Sequence, residues 1–272
     1  MTSELSQQFS RKRSIAVGPA ALFLLLAFTG CAKKNAEPVA SVSQQPATKT
    51  AVDPATAGSI TGAIYLDGLA PVQPAINMQS EAACANTSAS NPTGRPVVAG
   101  ANGTLANVVV YVTDGLAGYR FTAPQTPVVL DQKGCLYAPR VVALMTNQPL
   151  EIHNSDATIH NIHAMPKTNS EWNKAQPAGG AVLKTSFPKP ELAIPFMCNV
   201  HPWMRAFVFV FDHPYFAVTA ADGKFALTNV PPGTYKVEAW QEKFGTQTQV
   251  VTVRPHESSD VSFRFNSGTL SK

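Results

Sequence analysis

Three side chains that could bind a metal lie within one short stretch, Cys-Asn-Val-His-Pro-Trp-Met at 198–204. They are the thiol of Cys198, the imidazole of His201 and the thioether of Met204, a soft ligand set that suits copper. The stretch lies between two apolar segments, AIPFMC and RAFVFVF, whose β-branched and aromatic residues are typical of strands. The spacing therefore predicts a metal-binding loop at the tip of a β-hairpin.

A blue-copper site needs a second histidine, because its ligand plane contains two imidazoles and one thiolate, with a weak axial methionine. The upstream segment NSDATIHNIH supplies His160, which is far enough from Cys198 for another strand to bring it across a sandwich. His163 is an alternative, but it would face the opposite side of an extended strand. His153 is a less favoured alternative. The two remaining histidines are expected in solvated turns: His213 and His256.

The segment CNVHPWMRAFVFV resembles the ligand loop and last strand of the amicyanin-like cupredoxins, and NSDATIHNIHA resembles the segment that supplies their first ligand. The resemblance covers about residues 100–212 and implies a Greek-key β-sandwich. It also implies one type 1 copper ion with three equatorial ligands and one axial ligand: His160, Cys198, His201 and Met204. Asn161 matches the residue that ties the two ligand loops together. Ile159 departs from the resemblance, because those proteins usually have proline there.

Such a ligand shell leaves no open position for a substrate, so we expect an electron carrier and not an enzyme. The sequence has no His-x-His pairs of the multicopper type and no second cysteine beside Cys198 for a dinuclear centre. Pro202 and Trp203 are predicted to form an apolar rim through which the exposed edge of His201 passes electrons to a redox protein partner. Copper storage, delivery or sensing is one alternative function, and a metal-free surface scaffold module is another.

The first thirty residues predict a targeting segment and not a part of the fold. Three basic residues at 11–13 precede an apolar stretch, 15–29, that is too short to span a membrane comfortably. The sequence FTGC that follows resembles the lipobox of bacterial lipoproteins, in which the cysteine becomes the acylated first residue. We therefore expect a signal peptide over 1–30 and a lipid on Cys31. The chain would be anchored to a membrane of the bacterial cell envelope and would face the periplasm or the exterior.

The four cysteines can be assigned by elimination. If Cys31 carries lipid and Cys198 binds metal, Cys84 and Cys135 remain to form a disulfide in an oxidising compartment. Two buried free thiols are the alternative.

The composition predicts an all-β, turn-rich fold, because only 14% of the residues are charged and proline, glycine, threonine and valine are common. The formal net charge of +4 falls to +2 without residues 1–30, and no basic run is present. These features give no electrostatic case for a nucleic-acid partner. Residues 31–57 contain almost no large apolar side chain and predict a flexible tether.

The C-terminal segment DGKFALTNVPPGTYKVEAW resembles the carboxypeptidase regulatory-like (transthyretin-like) domain. We therefore expect a copper domain over 58–212 and a smaller, prealbumin-like β-sandwich over 213–265. The strand predicted at 58–68 could instead pair with the C-terminal domain, and the copper domain would then be an insertion in that sandwich. The C-terminal segment contains no catalytic constellation, so its expected role is that of a scaffold or docking surface.

Overall fold

The computed structural model describes residues 49–79, 81–85 and 96–268. The predicted signal peptide, Cys31 and the tether as far as residue 48 lie outside these residues. The described part is almost entirely β, which confirms the predicted fold class. In the part of the chain that the structure describes, no helix has the length and hydropathy needed to cross a bilayer.

The strands in chain order are β1 (Gly58–Asp67), β2 (Val98–Ala99), β3 (Leu105–Ala106), β4 (Val109–Asp114), β5 (Val128–Gln132), β6 (Tyr137–Ala138), β7 (Val141–Met145), β8 (Leu150–Asn154), β9 (His160–Ala164), β10 (Trp172–Gln176), β11 (Leu183–Thr185), β12 (Glu191–Met197), β13 (Arg205–Phe211), β14 (Phe216–Val218), β15 (Lys224–Val230), β16 (Gly233–Gln241), β17 (Gly245–Val253), β18 (Ser258–Asp260) and β19 (Phe263–Asn266). A single turn of α-helix, α1 (Ala82–Ala85), and a 3-10 turn, Ala101–Gly103, lie between β1 and β3.

Most strands belong to four sheets. Sheet A has the order β15-β1-β18, with β19 also paired to β1, and sheet B has the order β14-β4-β16-β17. Sheet C has the order β10-β9-β12-β13-β7, and sheet D has the order β11-β8-β5-β6. The short strands β2 and β3 pair only with each other.

Sheets A and B form one sandwich. Their facing side chains make a buried core that includes Ile60, Ile64, Val110, Val237 and Phe263. The hairpin of β16 and β17 pairs nine residues on each strand, from Gly233↔Val253 to Gln241↔Gly245. The Pro-Pro-Gly turn that joins β15 to β16 stands where the sequence predicts it.

Sheets C and D form the second sandwich. Its core includes Leu130, Ile152, Ile162, Phe196 and Val208, contributed by both sheets. Along β12 the buried positions alternate, as expected for a strand with one face toward a core. This alternation continues into the first residue of the predicted metal loop.

Sheet B also packs against sheet C through a third apolar cluster. Val109 and Tyr111 of β4 lie there against Phe209 and Phe211 of β13, and Trp240 of β16 packs on the same cluster. Strand β4 is therefore buried on both faces, in agreement with its unbroken β-branched sequence.

The strand pairing agrees with the alternative expected for 58–68, in which this strand pairs with the C-terminal strands. Strand β1 pairs with β15, β18 and β19, and β4 pairs with β14 and β16. Both strands, which the sequence analysis included in 58–212, thus lie in sheets with the C-terminal strands. The second sandwich, β5 to β13, is inserted in the chain between β4 and β14, which pair with each other in sheet B.

Candidate metal centre

The predicted metal loop joins two neighbouring strands of sheet C. Strands β12 and β13 pair antiparallel, from Met197↔Arg205 to Glu191↔Val210. The loop between them is closed by main-chain hydrogen bonds from Cys198 N to Met204 O (3.2 Å) and from Met204 N to His201 O (2.9 Å). The N–H of His201 also points at the Cys198 Sγ atom, at 3.4 Å. The three side chains predicted as ligands are almost fully buried, at 0–1% exposure.

The first residue of β9 brings the second imidazole to this loop. Because β9 pairs with β12, His160 lies beside the end of the hairpin. The Nδ1 atoms of His160 and His201 are 2.8 Å apart, and Cys198 Sγ lies 3.7 Å from His201 Nδ1. One ligand atom from each of these three residues lies within 4.8 Å of the other two.

The alternative histidines lie elsewhere. His163 Nε2 contacts Glu171 Oε1 at 2.7 Å, and its side chain is partly exposed. His153 Nε2 lies 3.7 Å from Glu151 Oε2 on sheet D. Neither belongs to the cluster of His160, so the structure brings together the histidine that the sequence analysis favoured.

Of the other histidines, His213 differs from its expected place in a solvated turn. It is only 8% exposed, donates from Nε2 to Val112 O (3.0 Å) and accepts the Tyr215 N–H at Nδ1 (3.2 Å). Burial accounts for its lowered pKa. The rings of Phe121, Phe211 and Tyr215 lie around it, so it is a structural histidine. His256 is exposed, as expected.

Asn161 links the two segments that carry the ligands. Its Oδ1 atom accepts the main-chain N–H of Asn199 at 2.7 Å and that of Val200 at 3.4 Å, and the Cys198 thiol donates to it at 3.3 Å. Its Nδ2 atom donates to Asn173 Oδ1 at 2.7 Å. Asn161 thus occupies the bridging position that the cupredoxin resemblance implies.

Burial and hydrogen bonding act against each other on the titratable groups. Burial alone would lower the pKa of His160, but hydrogen bonds to Asp156 and Cys198 outweigh it and raise the pKa to about 9. Burial would raise the pKa of Cys198, but hydrogen bonds from His160 and the loop outweigh it and lower the pKa. Burial and the nearby charge of His160 lower the pKa of His201. These hydrogen bonds shift Cys198 in the direction of the thiolate, the form that binds metals.

Asp156 is a residue of the site that the sequence analysis missed. Its Oδ2 atom lies 2.9 Å from His160 Nε2, on the side of the ring away from the cluster. Its two oxygens also accept the main-chain N–H groups of Gly134 (2.6 Å) and Cys135 (2.8 Å). The signal was present in the sequence, because metal-binding histidines commonly donate their second N–H to a carboxylate, and this one lies four residues upstream.

A disulfide covers the centre on the side of His201. Cys84 and Cys135 are joined, which is the pairing predicted by elimination. Cys84 Sγ lies 3.7 Å from His201 Nε2, and Glu81 Oε2 lies 3.8 Å from the same nitrogen. Because this segment packs into the core of the second sandwich, His201 has no exposed edge.

The expectation that His201 has an exposed edge is therefore wrong. Trp203 instead contacts His201, with ring centroids 5.2 Å apart, and remains partly exposed. Its indole N–H donates to Cys135 O at 3.0 Å. Pro202 is exposed. These two residues connect the buried imidazole to the protein surface.

The donors fit copper. Two imidazole nitrogens and the Cys198 sulfur converge in a buried space, with a methionine in the same loop, and this set matches the preference of copper for nitrogen and sulfur. A second overlapping group consists of Cys135, Asp156 and His160, but its cysteine is already oxidised in the disulfide.

A family model described as carboxypeptidase regulatory-like domain matches residues 201–266, which confirms that resemblance for the C-terminal strands. No curated protein matches the chain.

Several copper proteins are among the similar solved structures. A variant of amicyanin in its Cu(I) form is 20% identical over 33% of this chain and 85% of its own, with a TM-score of 0.28. A purple cupredoxin from Nitrosopumilus maritimus is 17% identical over 30% and 97%, with a TM-score of 0.26. A copper-containing nitrite reductase from Thermus scotoductus is 18% identical over 38% and 25%, with a TM-score of 0.28.

Proposed function

We propose that this protein is a lipid-anchored type 1 copper protein that carries single electrons between redox partners outside the cytoplasm. The observation that carries the proposal is the buried convergence of His160, Cys198 and His201, with Met204 in the same loop. Copper held there would alternate between Cu(I) and Cu(II) and so carry one electron.

The protein around the cluster suits this task. Strands β9, β12 and β13 hold the ligands in one sheet, and Asn161 ties the ligand segments together. Side chains held by packing and hydrogen bonds need little rearrangement when the charge of the centre changes. The ligands are enclosed, so a substrate has no route to an open coordination position, and the proposed function is not enzymatic.

Trp203 and Pro202 form the proposed contact with the redox partner. The Trp203 ring lies against the His201 ring and reaches the surface, so a partner that touches it comes close to the ligand without opening the core. This contact replaces the exposed histidine edge that the sequence analysis expected.

The proposed location is the bacterial cell envelope, with the protein facing the periplasm or the exterior and held to a membrane by lipid on Cys31. The disulfide between Cys84 and Cys135 supports a compartment outside the reducing cytosol. Mass spectrometry of the membrane fraction would test the anchor, because Cys31→Ser should abolish the lipid and release the chain.

The deciding experiment is an absorption spectrum of the purified chain after copper loading. An intense visible band from thiolate-to-copper charge transfer is expected, together with a reversible one-electron couple. Cys198→Ala should abolish the band, whereas His163→Ala, which removes a histidine outside the cluster, should retain it. Copper that binds without this band and passes readily to a chelator would instead indicate storage or delivery.

A further inference from the structure

A depression of about 380 Å³ lies where the two sandwiches meet, beside the candidate metal centre. It is lined by β2, β3 and the turn after β14 on one side, and by residues around β6 and β13 on the other. Three of the lining side chains are cationic, and none of its described lining residues is a carboxylate. The cations are Lys133, Arg140 and Arg205.

The lining residues are neighbours of the metal loop. Arg205 directly follows Met204, and Leu136 directly follows Cys135, whose carbonyl accepts the indole N–H of Trp203. The Arg140 Nη1 atom donates to the main-chain O of Arg205 at 3.3 Å, so Arg140, just before β7, lies against the first residue of β13. The depression therefore opens next to the residues that connect His201 to the surface.

Arg140 has a structural task at the base of the depression. Its guanidinium forms two hydrogen bonds with the Glu242 carboxylate, at 2.5 and 2.9 Å, and this pair is mostly buried. The pair joins the start of β7 to the end of β16 and so fixes the two sandwiches against each other. Arg140 is consequently not available as the main receptor of an added anion.

Lys133 and Arg205 have a different role, because both are exposed. Among the described residues, no salt bridge involves either of them. Unneutralised cations at the rim of a concave surface create a positive potential that attracts negatively charged partners and speeds their encounter.

We propose that this depression is the docking surface for an acidic redox protein, which places surface carboxylates against Lys133 and Arg205. The inference rests on the proposed function and identifies the charge of the electron-transfer partner. A docked acidic protein would have its own redox centre beside Trp203 and Pro202. Because both cations are exposed, they are better placed to contact the surface of a macromolecule than to enclose a small anion.

The test uses one haem protein in two charge forms: a basic c-type cytochrome, and the same cytochrome after its lysines have been succinylated. Each is supplied in the ferrous state and mixed with the copper(II)-loaded chain, so that the haem iron loses one electron and the copper centre gains it. The acidic form is expected to react about tenfold faster than the basic form at low ionic strength, and salt should reduce this difference.

Charge reversal identifies the surface. Lys133→Glu and Arg205→Glu should each lower the rate of electron transfer from the acidic cytochrome at least about threefold, and should raise the rate from the basic cytochrome. Lys236→Glu is the matched control, since it makes the same change of charge at an exposed residue of β16. Lys236 lies five residues, or about 17 Å along the strand, before Gln241, which directly precedes Glu242, the partner of Arg140. The control variant should leave both rates nearly unchanged.

The outcomes separate the two proposals. If the visible band of the loaded protein is present but the electron-transfer rates do not change on charge reversal at residues 133 and 205, the docking surface is refuted and the electron carrier stands. If Lys236→Glu has the same effect as the other two variants, only net charge matters, and the docking surface is again refuted. Absence of the band refutes the carrier and the docking surface together.

Discussion

Asp156 and His160 form a hydrogen bond across the back of the candidate metal centre, with 2.9 Å between Asp156 Oδ2 and His160 Nε2. The carboxylate is itself held by the N–H groups of Gly134 and Cys135. Because Nε2 is engaged, the other ring nitrogen, Nδ1, points toward His201. One carboxylate thus orients the first ligand and anchors the turn that carries half of the disulfide.

Replacing this carboxylate should weaken copper binding without removing a ligand. Asp156→Asn keeps the size of the side chain but loses one acceptor oxygen, so the His160 ring is less well fixed. We expect the affinity for copper to fall about tenfold or more. Competition with a chelator of known affinity measures the change. Asp212→Asn, at an exposed acid away from the centre, should have no effect, and an unchanged affinity in Asp156→Asn would contradict the orienting role.

Asn161 should contribute to the stability of the metal-free protein. Asn161→Ala removes the acceptor shared by the main-chain N–H groups of Asn199 and Val200 and by the Cys198 sulfur, and the expected loss is about 2 kcal/mol in the free energy of unfolding. Urea denaturation measures it. The matched control is Asn173→Ala, which removes the partner of Asn161 Nδ2 and leaves the Oδ1 contacts intact. The interpretation requires the control to cost clearly less; equal losses would count against it.

The disulfide should stabilise the fold and also shield the centre. Cys84 and Cys135 are 51 residues apart, and closing a loop of that length lowers the entropy of the unfolded chain by an amount worth about 4 kcal/mol. The double variant Cys84→Ser, Cys135→Ser should therefore unfold at lower urea concentration. It should also lose copper to a chelator faster, because the segment that covers His201 is no longer tied down.

A comparison under native conditions separates these two effects. At urea concentrations well below the unfolding transition, the rate of copper loss to a chelator depends only on how well the segment around Cys84 shields His201. If the double variant releases copper at the original rate there, the disulfide contributes stability but does not shield the centre.

The ligand loop could be predicted from local spacing and His160 from its resemblance to a cupredoxin segment, but the burial of the site could not be predicted. The loop that carries Cys198, His201 and Met204 is seven residues long, so its ligands are close whatever the rest of the fold does. Strand β4 could be predicted as buried on both faces because its apolar run is unbroken. These features depend on neighbouring residues in the chain.

Other features depend on contacts between distant segments. His201 is buried by the segment around Cys84, more than a hundred residues upstream, and no sequence pattern near His201 indicates this contact. For β1 the sequence left two positions open, in the copper domain or with the C-terminal strands, and its pairing with β15 and β19 depends on which of several similar strands completes sheet A. Alternating apolar residues identify a strand but not its partners.

Glu191, the first residue of β12, should make stability depend on pH. Its carboxylate accepts main-chain N–H groups from three successive residues, Lys167, Thr168 and Asn169, and the side-chain amide of Asn169 as well. Burial alone would raise the pKa of Glu191, but these hydrogen bonds outweigh it and lower the pKa below the ordinary 4.5. The charged carboxylate therefore fastens the connection between β9 and β10 to the hairpin that carries the ligand loop.

Since the folded state lowers this pKa, the stabilisation is fully present above the unfolded value and is lost as the pH falls through the folded value. Glu191→Gln should lower the free energy of unfolding by about 1 kcal/mol at pH 7, because solvent screens these partly exposed hydrogen bonds, and the difference from the original chain should shrink below about pH 4. Urea denaturation of both metal-free proteins between pH 7 and pH 3 measures the difference. Glu257→Gln serves as the control, because that exposed carboxylate meets only Arg254 among the described ion pairs. A difference that stays constant across the pH range would mean that the charge of Glu191 does not contribute.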